Sequence, residues 1–215
     1  MNSSTVGIVL AAGAGRRMGG PKAVLRFRGA PLVDRAVRTA AAGGCGRVLA
    51  VLGAGAAEAK PAAQAAGAQV VVNRRWAEGM GASLHVGLSM AASVAPEATA
   101  ALILLVDQPH ITPAAVAAVL SAQQDPDDDK VLAAAAYDGR RGHPVLLGRG
   151  HWDALLPTLT GDTGARAFLH AHRNEVILVP CDTLADPYDL DVPEDLPRDE
   201  RDERQERGRR GGAAG

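Results

Sequence analysis

Leu10-Ala11-Ala12-Gly13-Ala14-Gly15-Arg16-Arg17-Met18-Gly19-Gly20-Pro21-Lys22 continues an apolar run that begins at Val6. The run is short and ends in glycine, which predicts a buried strand turning sharply rather than a helix or a membrane span. Four glycines between positions 13 and 20 permit positive φ angles and let backbone N–H groups converge on an anion. Arg17 and Lys22 flank them and can neutralise phosphate oxygens. Ligands of open α/β sheets sit at the carboxyl ends of the strands, so this corner reads as a phosphate-binding loop.

Working outward, short β-branched or leucine-rich runs alternate with longer alanine-rich segments, the pattern of a parallel sheet with helices between its strands. Val6 to Ala11, Arg47 to Leu52, Gln69 to Val72, Ala101 to Val106 and Val131 to Ala136 read as strands, followed by Val145 to Leu147 and Val176 to Val179. Leu32 to Ala42, Ala56 to Ala66, Met80 to Ala92, Pro113 to Ala122 and Gly164 to His172 read as helices. Thr112 before Pro113 is a good N-cap with proline at the first helical position. Residues 1–196 are expected to form one domain; 197–215 shift to mixed Arg, Asp and Glu and then Gly and Ala, a charged tail expected to be disordered.

Composition removes several classes. The chain has 215 residues, 47% of them hydrophobic and 22% charged, enough for a buried core. Its 23 Lys and Arg nearly balance 24 Asp and Glu, which gives no global case for nucleic acid or a membrane surface. Aromatics are only 3%, too few for a base-stacking platform. Cys45 and Cys181 are the only cysteines, which argues against a disulfide-stapled secreted protein and a thiolate metal cage. No basic run precedes the first apolar stretch, so a signal peptide is not expected, and a cytoplasmic protein is.

Two commoner phosphate loops fail on spacing. A dinucleotide fingerprint would need glycine where Met18 stands and an acid closing the second strand. A nucleoside-triphosphatase loop would not place Pro21 before Lys22, nor Ala23 where a hydroxyl should meet magnesium. The stretch L-A-A-G-x-G-x-R-M-G-x-x-K instead resembles the signature of nucleotidyltransferases related to the molybdenum cofactor guanylyl- and cytidylyltransferases, and within that group the cytidylyltransferases. The resemblance runs from Val6 to Leu196. It implies a three-layer α/β/α, Rossmann-like nucleotidyltransferase fold with a mostly parallel central sheet. It also implies that Leu10, Ala11, Ala12, Gly13 and Gly15 wrap the nucleotide, that Arg17 and Lys22 contact phosphate, and that Ala12, glycine in guanylyltransferase relatives, favours a cytidine nucleotide.

Asp107 follows a strand that reads as fully buried. A carboxylate there costs several kcal/mol unless paired, and in a phosphate site its natural partner is a divalent cation. Magnesium usually takes one or two carboxylates, so a second acid is expected. Tyr188-Asp189-Leu190-Asp191-Val192-Pro193-Glu194-Asp195-Leu196 resembles the family's D-x-D-T-P-E-D-L element, which implies Asp191 as the second ligand of Mg²⁺. Val192 stands in place of threonine, and Asp189 shares a face with Asp191 on an extended segment. Glu194 and Asp195 are expected in the first turn of a final helix.

Asn73, Trp76, Gly79, Met80, Ser83 and Leu84 match the family pattern N-x-x-W-x-x-G-M-x-x-S-L, in which Asn73, Gly79 and Ser83 are expected at the nucleotide base. Gly142-His143-Pro144 and Gly161-Asp162-Thr163-Gly164-Ala165-Arg166 resemble acceptor-side elements, making His143, Asp162 and Arg166 candidate acceptor contacts. The resemblance implies transfer of CMP from CTP to the terminal phosphate of molybdopterin, releasing pyrophosphate, with Lys22, Arg17 and Asp107 catalytic and a molybdenum hydroxylase receiving the product. Two alternatives stay open: another phosphate acceptor, such as a sugar phosphate or phospholactate, with GTP; or a non-catalytic nucleotide-binding module.

Overall fold

The computed structural model describes residues 4–197, so the expected tail lies outside the described residues apart from Pro197. In chain order the strands are β1 (Thr5–Ala11), β2 (Arg26–Phe27), β3 (Ala30–Pro31), β4 (Arg47–Leu52), β5 (Gln69–Val72), β6 (Ala100–Leu105), β7 (Leu132–Tyr137), β8 (Arg140–Gly148) and β9 (Ile177–Pro180). The helices are α1 (Leu32–Ala42), α2 (Ala56–Ala65), α3 (Met80–Val94), α4 (Pro113–Leu120), α5 (Trp152–Leu155) and α6 (Arg166–Ala171). Seven strands form one sheet in the order β5-β4-β1-β6-β8-β7-β9, while β2 and β3 make a separate small hairpin.

β1 pairs parallel with β4 and with β6, β4 with β5, and β7 with β9. Of the seven, β8 runs against its neighbours β6 and β7. The central sheet is therefore mostly parallel, as the alternation of runs predicts. β8 is a correction in length: the expected Val145 to Leu147 is only the buried centre of a nine-residue strand whose first residues are polar and partly exposed. Arg140, Arg141 and His143 conceal it from a reading based on apolar runs.

Side chains alternate across the sheet with the period of two that a strand imposes. Val9 and Ala11 face one core with Val33 and Val37 of α1, Ala63 of α2 and Val116 of α4. Ile8 and Leu10 face the other with Leu84 and Leu88 of α3, Trp152 of α5 and Phe168 of α6. Two cores on opposite sides of one sheet make the three-layer α/β/α arrangement. Thr112 caps α4 as expected, its hydroxyl accepting from the Ala115 N–H at 3.2 Å and donating to the Leu184 carbonyl at 2.7 Å. Among the described residues no helix is long and apolar enough to cross a membrane.

Candidate active site

The chain passes from β1 to β4 on one side and reaches β6 on the other, so strand order reverses beside β1. A crevice opens at such a reversal, outside the carboxyl ends of the strands. The glycine loop leaves the end of β1 there, and Asp107 follows the end of β6. The loop is tied down at both ends: the Val106 N–H donates to Leu10 O at 3.1 Å, the Ala54 N–H to Ala12 O at 3.0 Å, and the Gly20 N–H to Gly15 O at 3.2 Å. Gly15 has φ +56°, and a Cβ there would collide with the Gly20 carbonyl. Met18, the residue that breaks the dinucleotide fingerprint, is 1% exposed and anchors the loop in the core. Among the described residues the backbone N–H groups from Gly13 to Met18 donate to no protein acceptor, which leaves them free for an anion.

Lys22 joins the two distant acids. Its Nζ lies 2.7 Å from Asp107 Oδ2 and 2.8 Å from Asp191 Oδ1, and Arg17 reaches Asp191 Oδ2 at 3.1 Å. Burial pulls the Lys22 pKa down, but the hydrogen bonds and charges of Asp107 and Asp191 outweigh it and hold the ammonium above its ordinary value. The Lys22 hydrogen bond, with the charges of Lys22 and Arg17, holds Asp191 below the usual carboxylate range against burial and the Asp195 charge. Asp189 moves the other way, raised by burial and by the charges of Asp107 and Asp191 although Gln108 donates to it at 2.9 Å. Asp107 and Asp191 already close around a single cationic head. They supply hard oxygens, and in a number that suits Mg²⁺ completed by phosphate and water. The donor set thus fits the ion that the sequence implies. Among the described residues no cluster of three or more His, Cys, Asp or Glu could hold a metal by itself.

The turn after Asp191 corrects one expectation. Residues Pro193–Asp195 form a single 3-10 turn, and Asp195 turns back on the chain. Its Oδ2 accepts from the N–H groups of Asp191 at 2.7 Å and Val192 at 2.9 Å, while Tyr188 Oη donates to Oδ1 at 2.6 Å. Asp195 orients the backbone that carries Asp191, so valine in place of threonine at 192 leaves these N–H groups satisfied.

Two cavities meet at Asp107. The first, about 520 Å³, is lined by the glycine loop, Arg17, Lys22, Trp76, Gly79 and Ser83. The second, about 310 Å³, is lined by His143, Asp162 and Arg166 with Arg141 and Asp189. Leu10, Met80, Asp107 and Asp162 border both. Ala11 is buried at the end of β1, and Asn73 stands behind the wall: it is 2% exposed, its Nδ2 donates to Ser83 Oγ at 3.1 Å, and its Oδ1 accepts from the Arg75 N–H at 2.9 Å. Asn73 therefore touches Ser83, which lines the first cavity, and not the cavity itself. Gly79 has φ +113°, and a Cβ there would run into the Gly161 carbonyl and Asp162; the adjacent Gly81 N–H donates to Gly161 O at 2.8 Å. This glycine lets the start of α3 and the 161–164 loop close together. No ion pair joins Asp162 to Arg166 among the described residues. His172, two positions after His170, stacks on Phe168. Arg141 was hidden from sequence reading because it lies in a polar stretch that reads as loop.

Residues 7–183 match the model of the MobA-like NTP transferase domain. The chain belongs to that family. It is 36% identical to nicotine blue oxidoreductase of Paenarthrobacter nicotinovorans over 200 residues, covering 89% of this chain and 94% of the relative. It is 32% identical to the molybdenum cofactor guanylyltransferase of Rhodobacter capsulatus, covering 90% and 94%. The manganese complex of Rv0371C from Mycobacterium tuberculosis H37Rv superimposes with a TM-score of 0.67 at 30% identity, covering 91% of this chain and 95% of that one. The MobA-like chain described here thus shares family and fold with nucleotidyltransferases.

Proposed function

We propose that this chain transfers CMP from CTP to the terminal phosphate of molybdopterin, releasing pyrophosphate. The observation that carries the reading is that Asp107, which borders both cavities, is joined through Lys22 to Asp191, beside a loop whose Gly13 to Met18 N–H groups have no protein acceptor among the described residues. A larger cleft for the triphosphate and a smaller one for the acceptor, sharing one charged edge, is what in-line phosphoryl displacement requires.

Asp107 and Asp191 would hold a divalent ion, Mg²⁺ in this proposal; when bound, such an ion stabilises negative charge on phosphoryl oxygens. The glycine-loop N–H groups and Arg17 bind the β- and γ-phosphates and stabilise charge on the departing pyrophosphate. Lys22 places its ammonium against the α-phosphate. An acceptor phosphate oxygen attacks the α-phosphorus, a P–O bond forms to the acceptor, and the bond to pyrophosphate breaks. The nucleophile is already anionic, so no general base is needed. Ser83, held by Asn73, and Trp76 form the side of the cleft suited to the base, and Ala12, bulkier than the glycine of the guanylyltransferases it resembles, supports the smaller cytosine base. The guanylyltransferase relative supports GTP as the competing donor. The test is pyrophosphate release with each of the four common nucleoside triphosphates and molybdopterin: release confined to CTP is the expected result, release with GTP alone replaces the donor, and release with none overturns the reading.

The similarity to nicotine blue oxidoreductase favours a second reading, in which the same site carries an oxidation–reduction in place of the transfer. Oxidation of a reduced nicotinamide dinucleotide by this protein, with no pyrophosphate released from any triphosphate, would establish it instead.

A further inference from the structure

The segment that carries Asp191 has no helix or strand to hold it. Residues 185–191 are irregular, and their place beside β6 depends on single contacts. Leu190 is fully buried in the same core as Val106, and its N–H donates to Asp107 O at 2.9 Å. The acids on either side of it face the cleft: Asp191 meets Lys22, and Asp189 lines the second cavity. Burial of Leu190 alone does not determine which of the two joins Asp107.

Gln108 distinguishes them. Its Nε2 donates to Asp189 Oδ1 at 2.9 Å and to Pro187 O at 3.2 Å. Both partners are acceptors, so only the NH2 end of the amide can face them, and the carbonyl oxygen faces elsewhere. That oxygen is buried and has no hydrogen-bond partner among the described residues, on a side chain that belongs to a residue only 9% exposed. An orphaned buried carbonyl is unfavourable, and an apolar side chain would fill this position without that cost. What the amide adds is its hold on residues 187–189. Lys22 also joins Asp107 to Asp191. In the transfer reading its ammonium serves the α-phosphate as well, so the two acids need a tie that the nucleotide does not share.

We infer that Gln108 is a positioning residue: by engaging Asp189 and Pro187 it sets the 187–191 segment so that Asp191, and not Asp189, stands with Asp107 at the divalent ion. The inference rests on the reading of Asp107 and Asp191 as that ion's ligands. It does not depend on which acceptor the protein uses.

The experiment is Mn²⁺ binding in the presence of CTP, read by electron paramagnetic resonance, in the parent protein, Gln108→Met and Thr112→Ala. Gln108→Met keeps the length and bulk of the side chain and loses both hydrogen bonds. Thr112→Ala releases the chain farther back, at Leu184. Gln108→Met is expected to bind Mn²⁺ about tenfold more weakly, the scale of a lost partner behind a metal ligand, while Thr112→Ala binds as the parent does. Melting curves show whether the variants fold; if Gln108→Met does not, Gln108→Asn, one methylene shorter, takes its place with the same expectation. Parent-like or tighter binding in the folded Gln108 variant overturns the inference. Equal weakening in Thr112→Ala also overturns it, because the effect is then a general loosening of the segment. Absence of Mn²⁺ binding by the parent overturns it together with the metal site. Pyrophosphate release with CTP alongside Gln108-independent Mn²⁺ binding overturns this inference and leaves the transferase reading standing. Gln108-dependent binding with no pyrophosphate release from any triphosphate does the reverse.

Discussion

At the residue scale, the charges around Lys22 set what each substitution does. Asp107→Asn removes a charge from a partly exposed ion pair while Asp191 still holds Lys22, so the fold survives. Activity is expected to fall at least about 100-fold because the variant loses electrostatic support at the reacting phosphate. Pyrophosphate release alongside a melting curve checks both halves. Lys22 and Asp191 give opposite linkage signs. Raised Lys22 contributes stability that is present below its unfolded value of 10.5 and fades as pH rises through the higher folded value. Lowered Asp191 contributes stability that is present above 3.8 and fades as pH falls through the lower folded value. The ion-paired cluster is accordingly intact across the neutral range. His143 behaves differently. Burial, with the charges of Arg141 and Arg166, pushes it down to about 4 from 6.5 against the pull of Asp107. The unfolded chain therefore takes up a proton first, and stability declines as pH drops from 6.5 towards 4. His143→Gln is expected to show a smaller loss of melting temperature across that window; an identical slope in both proteins would remove His143 as its source.

At the element scale, the start of α3 and the 161–164 loop are held together by a glycine that no other residue can replace without movement. Gly79→Ala is expected to cost about 1–3 kcal/mol from positive φ and collision with Gly161, and to weaken nucleotide binding as the wall shifts, seen by denaturant melts and CTP titration. Thr112→Ala removes the α4 cap and the tie to Leu184, and is expected to destabilise by about 1–2 kcal/mol without changing CTP affinity. These elements also show what the sequence could reveal. Apolar runs made β1, β4 and β6 legible, because their strands are buried on both faces. β8 was legible only at its apolar centre, since a strand that lines a polar cavity carries Arg141 and His143 where periodicity looks for valine. The Asp195 turn reads as a helix start because capping acids and backbone-orienting acids occupy the same positions relative to proline.

At the scale of the molecule, two cavities meet at Asp107, and residues of both were readable from sequence, the first from its glycine spacing and the second from the 142–144 and 161–166 stretches. Glycine spacing and flanking cations announce a phosphate loop locally. That Lys22 would sit between Asp107 and Asp191, 85 and 169 positions away, depends on where the sheet reverses and on the turn that brings the last segment back. Asn73 illustrates the converse: its motif match was legible, but its place behind Ser83 follows from packing that no local pattern encodes. The central claim is that Asp107 and Asp191 form one site for a divalent ion together with the triphosphate. Its most direct measurement is Mn²⁺ binding by electron paramagnetic resonance, with and without CTP, in the parent protein, Asp107→Asn and Asp191→Asn. The expected result is tight CTP-dependent Mn²⁺ binding in the parent and at least about tenfold weaker binding in both variants; parent-like Mn²⁺ binding in either variant would contradict it.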